Sequence, residues 1–142
     1  MAITQSMATS FKVELLKAVH NFATNGNTFK LALYTSSATM GATTTAYTTT
    51  NEVTGTNYTA KGGTLTKVTP TATGTTAVTD FADLTFGTAT ITARGCMIFN
   101  DTATGDPNVA VFDFGGDKTS TAGDFTVVFP SATATGAIIR LA

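Results

Sequence analysis

The spacing of hydrophobic residues changes once along the chain, near residue 26, and the change separates a predicted helix from a series of predicted strands. Before this point the apolar residues recur at a helical spacing: Phe11, Leu15, Ala18 and Phe22, with Leu16 and Val19 widening the stripe. Thr9 or Ser10 can cap the first turn, and Asn25-Gly26 tolerates the positive φ that ends a helix. The pattern predicts one helix over residues 10–24, preceded by an N-terminal arm of residues 1–9.

After this point the hydrophobic period is two, which is typical of β-strands. In residues 28–34, Phe29, Leu31 and Leu33 share one face and Lys30 lies on the other. Further strands are predicted over residues 64–70, 75–81, 84–86, 88–100, 109–114, 124–129 and 137–141. Turn residues separate them, at Thr73-Gly74, Gly105-Asp106-Pro107, Gly115-Gly116-Asp117, Ala122-Gly123 and Gly136. Short strands at this spacing predict one mainly β domain over residues 1–142, an antiparallel jelly-roll-like β-sandwich with one N-terminal α-helix.

The strand predicted over residues 88–100 differs from the others because its second half is continuously apolar. The run Cys96-Met97-Ile98-Phe99 contains no polar position. A strand that is covered on both faces has this pattern, whereas a strand with one solvated face alternates. We therefore expect this strand to lie between two layers of the protein.

Residues 35–61 form a long Thr-rich segment that has neither a helical nor a strand period. Segments of this length without secondary structure are uncommon in a small domain, and many of them are functional. We interpret residues 35–61 as a long loop with little charge that orders against a neighbouring protein.

Threonine is the most distinctive feature of the composition, with 34 of the 142 residues by count along the chain. Its β-branched side chain suits a pleated surface, and its hydroxyl wets the outer face without adding charge. Only 12% of the residues are charged, the formal net charge is −1, and 42% of the residues are hydrophobic. These values exclude a disordered or highly charged chain and leave no basic surface for nucleic acid.

Few side chains offer chemistry, since the chain has one histidine, one cysteine and two glutamates. Cys96 lies in an apolar run and is interpreted as a buried, inert thiol, and His20 as a surface residue near the helix end. Paired carboxylates can serve glycoside hydrolysis or calcium binding, but the acidic residues of the C-terminal third mostly fall in predicted turns: Asp101, Asp106, Asp113, Asp117 and Asp124. We predict no catalytic group, no metal and no cofactor, and hence no enzyme.

The sequence also lacks an apolar run of about 18 residues and the pattern of a signal peptide, so no membrane segment is expected.

Four phrases of the sequence together carry a resemblance to a known family. They are the opening helix followed by FKLALYTSSATMG, the loop AYTTTNEVTGTNYTAKGGTL, the strand TATITARGCMIFND and the segment VAVFDFGGDKTSTAGDFTVVFP. Over about residues 11–141 the chain resembles small virion structural proteins of tailed double-stranded DNA bacteriophages, in particular the capsid cement (decoration) proteins of short-tailed phages.

The resemblance implies a virion protein on the outer surface of an icosahedral head, assembled in the host cytoplasm. Its partner would be an HK97-like major capsid protein, whose neighbouring subunits it would bridge and so stabilise. The resemblance also implies small homo-oligomers, for which we favour a homodimer at local two-fold axes over a trimer. Neither nucleic acid nor a membrane is expected as a partner.

The partner contacts are predicted from the chain itself, because the resemblance supplies no functional motif. Ile3 and Met7 are expected to be exposed in the N-terminal arm, where they could lie on a neighbouring subunit. Met40, Tyr47 and Tyr58 belong to the long loop and could order against the capsid or a second copy.

Two other functions stay open at this point. A tail- or fibre-associated virion protein that binds a host surface glycan would present a concave pocket with aromatic side chains. A small hydrolase would need a convergent acid–base group, which is hard to build from one histidine and two glutamates.

Overall fold

Residues 2–142, the part of the chain that the computed structural model describes, contain two antiparallel sheets and one short helix. In chain order the elements are β1 (Ser6–Met7), α1 (Thr9–Leu16), β2 (Phe29–Tyr34), β3 (Gly63–Thr64), β4 (Lys67–Thr73), β5 (Thr76–Phe81), β6 (Leu84–Asn100), β7 (Asn108–Val127) and β8 (Ile139–Leu141). The larger sheet has the strand order β1-β7-β6-β2-β3, and the smaller one β4-β5-β8. This arrangement confirms the predicted fold class, a mainly β, two-sheet architecture consistent with a β-sandwich.

The long hairpin of β6 and β7 is the backbone of the larger sheet and corrects four of the predicted strands. Residues 84–86 and 88–100 form one strand of 17 residues, and residues 109–114 and 124–129 belong largely to one strand of 20 residues. The turns expected at Gly115-Gly116-Asp117 and Ala122-Gly123 are shifts of register inside β7, where its residues outnumber those of β6. Glycine and left-handed Ala122 absorb the extra residues without ending the strand.

The larger sheet separates two hydrophobic cores. Alternate residues of β2 point in opposite directions, so that Leu31 and Leu33 lie in the main core while Ala32 and Tyr34 lie in the second core. The continuously apolar run of β6 divides in the same way. Cys96 and Ile98 enter the main core, and Met97 and Phe99 enter the second. The prediction of a strand covered on both faces is therefore confirmed.

Aromatic rings of both sheets meet in the main core. Phe22 and Phe29 stack with their ring centroids 4.3 Å apart, and Phe29 lies 6.0 Å from Phe81 of the smaller sheet. Phe81 in turn makes an edge contact with Phe129 at 5.8 Å. Such pairs contribute packing beyond the area that they bury, and here they join the two sheets.

The helix is shorter than predicted, and its two ends differ from the expected ones. Ala8 stands at the N-cap without a side-chain hydrogen bond, in place of Thr9 or Ser10. At the other end, Ala18 adopts a left-handed φ of 59°, and the N–H groups of Ala18 and Val19 donate to the carbonyls of Leu15 and Glu14. These two bonds form a Schellman motif, so the helix stops at Leu16 although the apolar period continues.

The N-terminal arm and the long loop cover the outer face of the larger sheet, which corrects the expectation that they are free for a neighbour. Ile3 forms a parallel bridge with Met40, and the N–H of Thr4 donates to the Met40 carbonyl at 2.8 Å. Loop residues also complete the edge of β2, since the N–H of Val53 donates to the Leu33 carbonyl at 2.9 Å. Within this cover, residues 35–61 form isolated β-bridges but no strand of two or more residues.

The strands that end the two sheets are short or interrupted, and β7, which β1 covers only at Ala110 and Val111, shifts register along its length. β1 and β3 have two residues each, and β8 has three. β4 carries Pro70, which has no N–H to offer, and its register with β5 shifts between Val68 and Thr71. These features blunt the edges that a nearly neutral, Thr-rich chain cannot protect with charge.

Candidate functional site

The five predicted contact residues lie within the two cores or against them. Ile3 and Met40 are buried in the second core, and Tyr47 packs half-buried against it. Tyr58 is buried in the main core, against which Met7 is half-buried. The expectation of an exposed Ile3 and Met7 is thus wrong, because β1 and the Ile3 bridge hold the arm on the sheet. A contact of these five residues with a partner stays a prediction.

Ile3 occupies its place because β6 has a glycine beneath it. A Cβ added to Gly95 would lie 2.9 Å from the Cδ1 of Ile3 and 2.3 Å from the carbonyl oxygen of Phe112. Only glycine leaves room for both neighbours at this close approach. The apolar residue of the arm therefore fits a specific notch in the sheet.

Glu52, the carboxylate of the long loop, is the centre of the densest polar cluster. Its Oε2 accepts a 2.6 Å hydrogen bond from the Tyr47 hydroxyl, and its Oε1 accepts bonds of 2.8 Å from the Tyr58 hydroxyl and the N–H of Lys61. The Tyr58 hydroxyl also accepts a 2.8 Å bond from the N–H of Leu33. The carboxylate is buried, and these donors compensate for its lost hydration.

Lys61 extends the cluster to the turn between β6 and β7. Its Nζ lies 2.7 Å from Asp106 and 2.9 Å from Asp101, and 5.7 Å from the centroid of the Tyr47 ring. Lys30 of β2 approaches Asp101 from the other side, at 3.6 Å. The arrangement joins the long loop, β2 and the β6–β7 turn through one set of charges.

The pKa values of this cluster favour fixed protonation states. Burial and the bond to Glu52 raise the pKa of Tyr47 to about 12, and burial raises that of Tyr58 further. Hydrogen bonds to Asp106 and Asp101 raise the pKa of Lys61. Burial alone would raise the pKa of Asp101, but Lys61 and Lys30 hold it below its usual range. Groups that keep one protonation state near neutral pH are poorly suited to proton transfer, and here they act as cross-links.

His20 is buried, which corrects its interpretation as a surface residue. The side-chain amide of Asn100 donates to its Nδ1 at 3.1 Å, while its Nε2 lies 3.4 Å from Glu14 Oε2. Phe11 and Phe29 approach the ring, with centroids at 4.9 and 6.2 Å. Burial lowers the pKa of His20, against the opposing effect of Glu14. The histidine is therefore a packing residue that ties the loop after α1 to β6, and its burial favours the neutral form.

The other candidates of the sequence have structural partners as well. Cys96 is buried in the main core, where desolvation raises the pKa of its thiol to about 12, as expected of an inert cysteine. Asp113 accepts bonds from the N–H of Gly115 at 2.9 Å and from Arg94 at 3.2 Å, and both lower its pKa. Asp124 accepts a bond from the N–H of Thr88, where β6 bulges.

Within residues 2–142, no group of three His, Cys, Asp or Glu side chains is placed to hold a metal ion. Over the same residues, no helix has both the length and the apolar character that crossing a membrane requires.

The outward face of α1 is the surface that sequence reasoning missed. Leu16, assigned to the apolar stripe, is 91% exposed, and Val13 is 50% exposed. Because the helix ends at Leu16, only Phe11 and Leu15 turn toward the core, and Leu16 points about 100° away from Leu15. The apolar period continues past the Schellman motif at Ala18, so the sequence pattern could not show that Leu16 is exposed.

No family model, no curated protein and no solved structure matches this chain.

Proposed function

We propose that this protein is a virion structural protein, a cement protein that binds the outside of an icosahedral phage capsid. It stabilises the shell by bridging neighbouring subunits of an HK97-like major capsid protein. The observation that carries the proposal is that the charged and phenolic groups of the long loop are used as internal cross-links of a two-core sheet, with Glu52 and Lys61 at their centre. Polar groups that are used in this way suit a structural protein that acts through its surface, and they accord with the resemblance to decoration proteins.

The blunted edges support the same function. Proteins that are crowded together on a particle meet other copies at high local concentration, where open strand edges would pair without control. Here Pro70, the short strands β1, β3 and β8, and the irregular β7 limit such pairing. Contacts are thereby left to side chains, which can be specific for one partner.

The proposed mechanism is mechanical. A protein that binds only the expanded shell stabilises that state by mass action. Weak contacts that bridge two subunits gain further from their high effective concentration, so that single contacts need not be tight. A fold with two cores transmits load between its contact sites with little deformation, because close-packed interiors are hardly compressible.

The experiment is a cryo-EM reconstruction of purified particles that contain this chain, together with its copy number by quantitative mass spectrometry. The proposal expects hundreds of copies per particle and density on the outer capsid surface. A handful of copies, or density confined to the tail, would contradict it. Heads assembled without the protein should also lose their DNA at a lower temperature than complete heads.

One observation favours the alternative, a tail- or fibre-associated protein that binds a host glycan. A cleft along β7 is lined by Lys118, Ser120 and Asp124 beside Phe114 and Phe125. Hydroxyl and charged groups next to aromatic rings are a chemistry that can bind sugars. Binding of host surface polysaccharide to the isolated protein, abolished by Asp124→Ala, would support this alternative.

A further inference from the structure

The outward face of α1, formed by Lys12, Val13, Leu16 and Lys17, combines exposed aliphatic groups with uncompensated charge. Val13 and Leu16 are one helical turn apart, so their side chains are neighbours on the surface. Lys12 and Lys17 flank them on the same side, four residues from Leu16 and Val13 respectively. We name these four residues the α1 face.

The aliphatic groups of the α1 face have no role in the fold itself. Leu16 is 91% exposed and so adds almost no buried surface to the domain. Val13 is a poorer helix former than alanine, so helix formation does not explain it either. Single exposed apolar residues are common, but two neighbours on one face of a two-turn helix form a contiguous patch.

An apolar cleft adjoins the α1 face. Leu15 lines it from the helix, and Phe22, Val78, Ile139 and Leu141 line it from the loop and the smaller sheet. Leu141 is 55% exposed at its rim. The cleft thus adds apolar surface beside the α1 face, between Leu15 of the helix and the edge strand β8.

The charge of the α1 face selects the partner. Within residues 2–142, neither Lys12 nor Lys17 has a carboxylate within ion-pairing distance, and Glu14 of the same helix lies 3.4 Å from His20. A second copy docked about a two-fold axis would place lysines against lysines, which is unfavourable. An acidic surface with an aliphatic side chain would complement both the charge and the apolar patch.

We propose that the α1 face, with the adjoining cleft, is the docking surface for an acidic protein surface that inserts an aliphatic side chain. That this partner is a major capsid subunit rests on the proposed function. The apolar contact supplies affinity through burial of Val13 and Leu16, while Lys12 and Lys17 orient the encounter and exclude basic surfaces.

The test is a lysine-acetylation footprint of purified particles that contain the chain, compared with the isolated protein. We expect Lys12 and Lys17 to be protected in the particle by about tenfold or more, because a docked surface excludes the reagent. Lys118, exposed on β7, serves as the internal control and should react similarly in both samples. Equal acetylation of Lys12 and Lys17 in particle and isolated chain would overturn the inference.

Variants test the chemistry of the partner. Leu16→Ser and the double variant Lys12→Glu/Lys17→Glu should each lower the copy number per particle about tenfold, with thermal stability unchanged because all three residues are exposed. Val128→Ser, at another exposed aliphatic residue, is the matched control and should keep full occupancy. Full occupancy of the Leu16→Ser variant would contradict the inference.

Failure of this inference can be told apart from failure of the proposed function. A protected α1 face on a protein located in the tail would uphold the docking surface and refute the cement role. Copies on the shell with Lys12 and Lys17 freely acetylated would do the reverse. A dimer of the isolated chain in sedimentation, abolished by Leu16→Ser, would show that a second copy covers the face and would also overturn the inference.

Discussion

The hydroxyl of Tyr58 donates a 2.8 Å hydrogen bond to Glu52, and the same hydroxyl accepts the N–H of Leu33 on strand β2. A tyrosine of the loop thus stands where a further strand would otherwise pair with β2. The long Thr-rich loop is in this way attached to the sheet, and Glu52 is the group to which several residues of the loop donate hydrogen bonds.

Replacing Glu52 by alanine should therefore destabilise the whole domain. The change leaves the hydroxyl of Tyr47 and the N–H of Lys61 without their acceptor and opens a cavity beneath the loop. We expect the free energy of unfolding to fall by about 3 kcal/mol, since several bonds to one buried charge are lost together. Denaturant unfolding measures the change.

The matched control for Glu52 is Asp117→Asn, which removes an acid that is 52% exposed and lies 3.8 Å from Arg94. Exposed ion pairs contribute little, so this variant should unfold like the parent protein. Similar stability of the two variants would show that the cluster around Glu52 is not a structural cross-link.

The N-terminal arm gives a second prediction, which reverses the expectation from sequence. Ile3→Ala should lower the free energy of unfolding by about 2–5 kcal/mol, because Ile3 is buried in the second core above Gly95. Deletion of residues 1–7 should be at least as costly, as it also removes β1. Thermal unfolding measures both, with Gln5→Ala, at an exposed position of the arm, as the control. A deletion variant with the melting temperature of the parent would contradict the fold of the arm.

Periodicity predicted those parts of the fold that depend on local pattern. The continuously apolar run Cys96-Met97-Ile98-Phe99 indicates that both faces of the strand are covered, because each of its residues packs in one of the two cores. The cover itself was not predictable, since Ile3 and Met40 are far from β6 in sequence and nothing in a Thr-rich loop identifies the face on which it packs. Glu52 was missed for the same reason: its partners become neighbours only when the loop closes.

The helix end is the clearest case in which a local pattern misled. Ala18 and Phe22 continue the spacing of Phe11 and Leu15, so the apolar period extends beyond the true helix. After the left-handed turn at Ala18, the chain returns His20 and Phe22 to the core by another path. Tertiary packing of these two rings outweighs the helical preference of the segment.

The same turn gives a third prediction. A residue with a Cβ in the left-handed conformation costs about 1–2 kcal/mol, which glycine avoids. Glycine loses more backbone entropy on folding, so Ala18→Gly should raise the free energy of unfolding by about 0.5–1 kcal/mol net. Ala23→Gly is the control, because Ala23 is exposed and its φ is not positive, and it should be neutral or slightly destabilising. A loss of stability in Ala18→Gly would exclude the Schellman stop.

His20 gives the last prediction, a dependence of stability on pH. Its pKa is lowered in the folded protein by burial, so the unfolded chain binds more protons as the pH falls through the ordinary value of 6.5. Protonated Nδ1 would also face the donating amide of Asn100. Stability should thus decrease from about pH 7.5 to pH 5.5, by at most about 1.4 kcal/mol per pH unit.

As His20 is the only histidine, His20→Gln should flatten this dependence on pH. Glu14→Gln should retain it, because this change removes the carboxylate that opposes the lowered pKa of His20. Thermal unfolding at both pH values decides, and a His20→Gln variant with the slope of the parent would mean that another group titrates.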